Sequence, residues 1–325
     1  MAGQDLTKIL NKIEPELRDD LLRMFALTSQ RVTVTQIETL IAQGQIDEAI
    51  RLVTPQAEIF AASWASAYVF SGKETGAWVS RQIPVEVIFD QVNVRAVLAM
   101  QNNSLRLVQS LSLAQRNATR EALLDGIRRG VNPREAARAI KQSIGLTARQ
   151  VRAVNSYRAA LKDGDSSALT RALRDKRFDP TVANSIRTGS PLSQAQVDKL
   201  VDRYVQRQLI YRSEVIARTE ALRSTHEGND EMFRQAIEDG HFAAEDISQT
   251  WNTAMDARVR DTHTTMNGQI RDYGEPFVSG GGNLLRYPGD PLAPAKEVIQ
   301  CRCTLSTRIK TLANPLNFSI SVESP

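Results

Sequence analysis

Through most of the chain apolar residues recur every three to four positions, the spacing of one helix face. Ile9, Leu10, Ile13, Leu17, Leu21 and Phe25 form such a face. Ile37, Leu40 and Ile41 begin another, broken at Gly44 and resumed at Ile46, Ala49, Ile50 and Val53. Thr54-Pro55 has the cap-then-proline order that opens a helix. The stretch after it is rich in alanine (Ala57, Ala61, Ala62, Ala65, Ala67), so that helix is expected to be buried against close neighbours. A long pattern runs from Asp90 and Asn93 through Val94, Leu98, Leu105, Val108 and Leu111. Two units then repeat one order: glycine, an apolar residue, an Asn or Thr cap, and a helix. They are Gly130-Val131-Asn132-Pro133 and Gly145-Leu146-Thr147, read as helix-turn-helix junctions of a bundle. A helix of nearly 40 residues is expected from Ser193 to about Glu231.

Beyond about Gly240 the pattern changes. Gly280-Gly281-Gly282 and Pro288-Gly289-Asp290-Pro291 break the chain into short pieces. Ser248 to Thr253, Pro276 to Ser279 and Cys303 to Ile309 read as strands, and Asp256 to Met266 as one short helix. The fold class is therefore α+β, a mainly helical N-terminal two thirds followed by a small α+β C-terminal domain. The expected divisions are a helical region 1–90 of unassigned role, a helical region 91–215, a small domain 216–310 and a tail 311–325. A fragment ending near Gly240 is expected to remain a soluble helical body.

Composition narrows the class. Of 325 residues, 42% are hydrophobic and 24% charged, which excludes wholesale disorder. No apolar run approaches a membrane span, and the first ten residues lack a secretory pattern. A soluble protein made in a cytoplasm is expected. Two cysteines exclude a disulfide framework, and three histidines limit imidazole chemistry. His226 and His241 lie in polar stretches and are expected to be exposed and without a role. The net charge is only +4, but Arg116 to Arg177 holds 15 Lys and Arg against six Asp and Glu, a local balance of +9. That block, with Arg128, Arg129, Arg134 and Arg138 as candidate contacts, suits a polyanion or an acidic protein face.

The chemistry-bearing residues concentrate late in the chain. Ile216-Ala217-Arg218-Thr219-Glu220 is followed by Trp251, then Asp256-Ala257-Arg258-Val259-Arg260-Asp261-Thr262-His263, then Met266-Asn267-Gly268. Tyr287-Pro288-Gly289-Asp290 and Cys301-Arg302-Cys303 complete the set. On the expected helix Asp256 and Arg260 are four apart and able to pair, and Gly268 ends it as a left-handed cap. Pro288-Gly289-Asp290 forms a tight turn. Cys301 and Cys303, two apart on a strand, point to one side and are expected to pin the last strand to the helix bearing His263.

His263, Cys301 and Cys303 are also three ligands that suit zinc, with a fourth from Asp256, Asp290 or water. Cys-x-Cys is a less usual spacing, however, and no second pair exists, so packed thiols without a cofactor are the reading adopted. No P-loop, nucleophile elbow, dinucleotide fingerprint or carboxylate cluster is present. Binding rather than catalysis is expected.

Taken together, the Arg218-Thr219-Glu220 helix, Trp251, the Asp256 to His263 pattern with Arg258 and Arg260, Gly268, the Pro288-Gly289-Asp290 turn and the final Cys301-Arg302-Cys303 resemble the phage Mu F-like minor head proteins, the head morphogenesis family. The resemblance covers about Ser213 to Ile309, with a looser likeness from Asp90 to Arg187. It implies a structural minor capsid protein of a tailed bacteriophage, partnered by the portal protein. It also implies a place inside the virion at the portal vertex, reached from the host cytoplasm during assembly, and a role in head assembly or in packaging or ejecting DNA. The basic block is compatible with packaged double-stranded DNA, or with an acidic portal, major capsid or scaffold surface. Two alternatives stay open: a DNA-binding internal ejection protein, and a metal-dependent enzyme centred on His263, Cys301 and Cys303.

Overall fold

Capping decides where many of the helices begin. In the computed structural model, which describes residues 4–310, strand β1 (Gln4–Asp5) leads into helix α1 (Thr7–Arg31). Thr33 and Gln36 form a capping box that opens α2 (Val34–Ala42). Helices α3 (Ile46–Val53), α4 (Glu58–Ser80) and α5 (Val94–Arg129) follow, with the Asn93 side chain accepting the Arg95 amide at the start of α5. Asn132 caps α6 (Pro133–Gln142) with Pro133 in its first turn. Thr147 and Gln150 form a second capping box on α7 (Ala148–Lys162). The two repeated units are thus bundle junctions. After α8 (Asp179–Thr188) comes α9 (Gln194–Glu238), 45 residues long. The mainly helical N-terminal part and the small α+β C-terminal part agree with the expected fold class.

The remaining elements are short: β2 (Ile247–Asn252), α10 (Asp261–Thr264), β3 (Ile270–Asp272), β4 (Phe277–Val278), β5 (Leu284–Leu285), α11 (Ala295–Val298) and β6 (Thr304–Ile309). All three strands expected from the sequence are present within a residue or two. The helix expected over Asp256 to Met266 is not. Only Asp261–Thr264 is helical, because the Asp256 carboxylate caps its own turn at the Arg258 amide and reaches out to Arg302, which holds the preceding residues in an irregular loop. Residues 311–325, read as a tail, lie outside the described residues.

The described residues divide into two compact units: 4–15, 65–100 and 218–310, and 16–64 and 101–217. The division falls inside α1, α4, α5 and α9. The second unit is all helical around a core that includes Ile37, Val53, Ala122, Ala137, Ile140, Val154, Tyr157, Val201 and Tyr204. Gly145 links α6 to α7 there with φ +78, and a side chain at that position would strike Phe25 and Leu209.

The first unit carries an antiparallel sheet in the order β1-β6-β2-β3, with Gln4 opposite Thr307, Trp251 opposite Leu305 and Thr250 opposite Ile270. β2 alternates buried and half-buried positions, which turns Ile247 and Trp251 inward. Trp251, Met266, Phe277, Leu285, Tyr287, Leu305 and both cysteines form its core together with Leu222 of α9. The alanine-rich α4 packs as tightly as its composition suggested. At Gly228 of α9 a Cβ would lie 2.3 Å from the carbonyl oxygen of Tyr68. Beside it the Ser71 hydroxyl donates to the Thr225 carbonyl at 2.7 Å.

Candidate functional site

Four side chains converge in the interior of the small domain. His263, in α10, places Nδ1 3.5 Å from the sulfur of Cys301 and 3.4 Å from that of Cys303. All three residues are buried, and their ligand atoms lie within 4.8 Å of one another. On the other side of the ring Nε2 stands 3.0 Å from Glu297 Oε2. The carboxylate is close enough to hold the proton on Nε2, although the approach is too oblique for a straight hydrogen bond. Trp251 meets the imidazole edge-on at 5.7 Å. The cysteines precede β6 rather than sitting on it, and they do face one side.

Glu297, in α11, is buried yet well supplied with donors. The Thr262 hydroxyl reaches Oε2 at 2.9 Å and the Asn283 amide reaches Oε1 at 2.8 Å. Burial alone would raise its pKa. The hydrogen bonds from Thr262 and Asn283, with His263 beside it, hold it below the usual glutamate value. The two thiols are pushed apart. Cys301 is drawn down, chiefly by its hydrogen bond with Cys303 and then by His263, while Cys303 is driven up by Cys301 and by burial.

The other motif residues build the frame. The Thr219 hydroxyl on α9 accepts the Gln300 amide at 3.1 Å, holding Gln300 at φ +56, a left-handed setting unusual for a side-chain-bearing residue. This bend directs Cys301 and Cys303 inward. Arg218 pairs with Glu14 at 2.8 Å and Glu220 with Arg223 at 3.2 Å. Pro288-Gly289-Asp290 is a tight turn, closed by the Asp290 amide on the Tyr287 carbonyl. Gly289, at φ +85, lies against the α9 backbone, where a Cβ would be 3.2 Å from the Arg223 nitrogen. The Asp290 carboxylate accepts from the Arg286 amide and guanidinium and from the Leu292 amide. Gly268 has φ +78, but it ends a turn after α10 and donates its amide to the Trp251 carbonyl.

Several expectations need correction. Asp256 does not pair with Arg260 along a helix. It forms a two-pronged ion pair with Arg302 and a longer one of 3.5 Å with Arg258, while Arg260 donates to the Ile299 carbonyl. Neither Asp256 nor Asp290 joins the thiols, since each is committed to an arginine. His226 is not exposed. It is 1% accessible on α9, stacked on Tyr287 with ring centroids 5.9 Å apart, and its Nδ1–H donates to the Leu222 carbonyl at 2.9 Å. Burial lowers its pKa to about 4. Sequence reasoning also missed Glu297. Nothing in the sequence singled it out, and only the tertiary fold turns the carboxylate inward.

The basic candidates lie elsewhere, in the helical unit. Arg129, Arg134 and Arg138 line one open groove of about 1230 Å³ with Lys141, Arg158 and Lys162, and Arg128 stays outside it. Glu135, Asp198 and Asp202 are interleaved among them. Arg129 is already tied to Asp125 at 2.7 Å and Glu135 at 3.7 Å. The groove is therefore basic on balance but of mixed charge. No helix among the described residues is long and apolar enough to cross a membrane.

No curated protein and no solved structure matches this chain. A family model does. Described as phage Mu protein F like protein, it matches residues 117–306, which takes in the helical junctions, α9 and every motif residue from Arg218 to Cys303. That span exceeds half of the 325 residues, and the chain belongs to the phage Mu protein F like family of bacteriophage head morphogenesis proteins.

Proposed function

We propose that the protein acts as a minor head component that docks at the portal vertex inside the phage head, by binding rather than by catalysis. The observation that carries this reading is an exposed apolar ridge in the unit that contains the small domain. Ile88, Val92 and Val94 are more than 70% accessible and Leu98 is 49% accessible. Val92 also lines a recess of about 660 Å³, together with Val69, Phe70, Val97 and Met100. Clustered large apolar side chains in water mark surfaces that meet another protein. A role as a docking protein of the head supplies that partner.

The test is co-expression with the cognate portal protein, followed by size-exclusion chromatography and analysis of purified heads. The wild-type chain should co-elute with portal and enter particles, and the double variant I88D/V92D should do neither while remaining folded. If the wild type neither co-elutes nor enters heads, the docking reading fails. If the variant behaves like the wild type, the ridge is not the docking surface. Truncation from Gly240 is a poorer test than the sequence suggested. Phe233 packs against Phe242 and Tyr273, and His226 against Tyr287, so truncation uncovers apolar α9 residues and does not leave a well-packed fragment.

A second reading, non-specific contact with packaged DNA, is favoured by the groove that gathers Arg129, Arg134 and Arg138 with Lys141, Arg158 and Lys162. Its interleaved carboxylates make that contact weak.

A further inference from the structure

We propose that His263, Cys301 and Cys303 bind one zinc ion, with His263 coordinating through Nδ1 and Glu297 orienting the ring from behind. Three geometric facts support the assignment. The first is spacing. With Zn–N bonds of about 2.0–2.1 Å and Zn–S bonds of about 2.3 Å, a tetrahedral centre sets nitrogen and sulfur about 3.6 Å apart. The observed separations are 3.5 and 3.4 Å.

The second is donor counting. Nδ1 of a neutral imidazole protonated on Nε2 offers a single lone pair. Two thiols within 3.5 Å of Nδ1 cannot both donate to it, so hydrogen bonding leaves one of them only the neighbouring sulfur, a weak acceptor. A metal ion uses all three donors at once. The third is the outer partner. Histidine ligands to zinc usually present their other ring nitrogen to a carboxylate or carbonyl, which fixes the tautomer. Glu297 Oε2 stands 3.0 Å from Nε2 and is itself held by Thr262 and Asn283, an investment of buried donors that packing of two thiols does not need.

No fourth His, Cys or carboxylate joins the cluster among the described residues, so the fourth position falls to water or another small ligand. The ion would join α10 to the turn before β6, two segments far apart in sequence within a domain of very short elements. Its role is that of a staple: bound to the folded chain and not to the unfolded one, it stabilises the domain by mass action. This inference is independent of the docking reading above.

The test uses the full chain, expressed with added zinc and purified under reducing conditions without chelators or a metal-affinity step. Elemental analysis should find about one zinc per chain. Exchange for Co²⁺ should give near-ultraviolet thiolate-to-cobalt charge transfer with the intense visible bands of a tetrahedral site. Glu297→Gln, which keeps all three ligands, should weaken metal affinity about 10–100-fold. Cys301→Ser, which leaves Cys303 as the one thiolate, should lower the charge transfer about twofold if it folds. Should it not fold, the wild-type spectrum and the E297Q titration decide the matter. A folded wild-type chain that carries no zinc overturns the proposal. So does a cobalt form that lacks thiolate charge transfer, because the metal would then lie elsewhere.

Discussion

Acidifying the protein from pH 7 to pH 5 should cost it stability through His226. This imidazole is buried on α9, stacked on Tyr287, with Nδ1–H given to the Leu222 carbonyl and Nε2 buried without a partner among the described residues. Protonation would place a charge and an unsatisfied N–H in that pocket, which is why burial lowers its pKa to about 4. In the unfolded chain the same group titrates near 6.5. Above that value both states are neutral, and the group adds no pH dependence. Between about 6.5 and 4 the unfolded state binds a proton that the folded state refuses, so stability falls as pH falls. Integrated over the window, the loss is about 2 kcal/mol from pH 7 to pH 5 and about 3 kcal/mol by pH 4. Asp256, Asp290 and Glu297 are also held below their usual values, but their losses begin near the ordinary carboxylate range, about pH 4. The assay is urea denaturation at pH 7, 6 and 5 for the wild type and for His226→Gln, whose amide can still donate to Leu222. The variant starts less stable because it lacks the stacked ring, yet its stability should change less with pH by about 2 kcal/mol over this range. Equal slopes in the two proteins would refute the reasoning.

Three further outcomes follow from the packing and the charges. Gly228→Ala should destabilise the fold by about 1–3 kcal/mol, because its Cβ would meet the Tyr68 carbonyl at 2.3 Å; an unchanged denaturation midpoint would mean that α4 and α9 separate freely. Thr147→Ala removes the capping box of α7 and should cost about 1 kcal/mol by the same measurement. Duplex DNA binding, measured by anisotropy from low to physiological salt, should be weak, with a log–log slope of about −3 to −5. Reversing the charges of Arg128, Arg129, Arg134 and Arg138 together should flatten it, and a salt-independent affinity would remove DNA from the partners of this groove.

Periodicity and local capping were enough to foretell the helical two thirds of the chain. The face from Ile9 to Phe25, the Asn132 and Thr147 caps and the start of α9 are all set by neighbours a few residues away, and such signals survive in a linear reading, whereas α9 runs on to Glu238, past the expected end near Glu231. The motif residues from Arg218 to Cys303 were also visible, as was the meeting of His263 with Cys301 and Cys303, because histidine and cysteine are rare in this chain and stand out against the background. Their roles were not visible. The stretch from Asp256 to Arg260 has a plausible helical pattern, but Asp256 is drawn away by Arg302, 46 positions later. His226 sits in a polar stretch and reads as exposed, and Glu297 carries no signal of its own. They are buried because α11 and the Tyr287 turn fold over them. Burial of a polar side chain depends on what lies across the core, on partners such as Thr262 and Asn283 that no local pattern connects to it. Sequence thus determined the helices of the first two thirds and which residues are chemically unusual, and the tertiary structure decided which carboxylate stands behind His263 and which imidazole stays neutral.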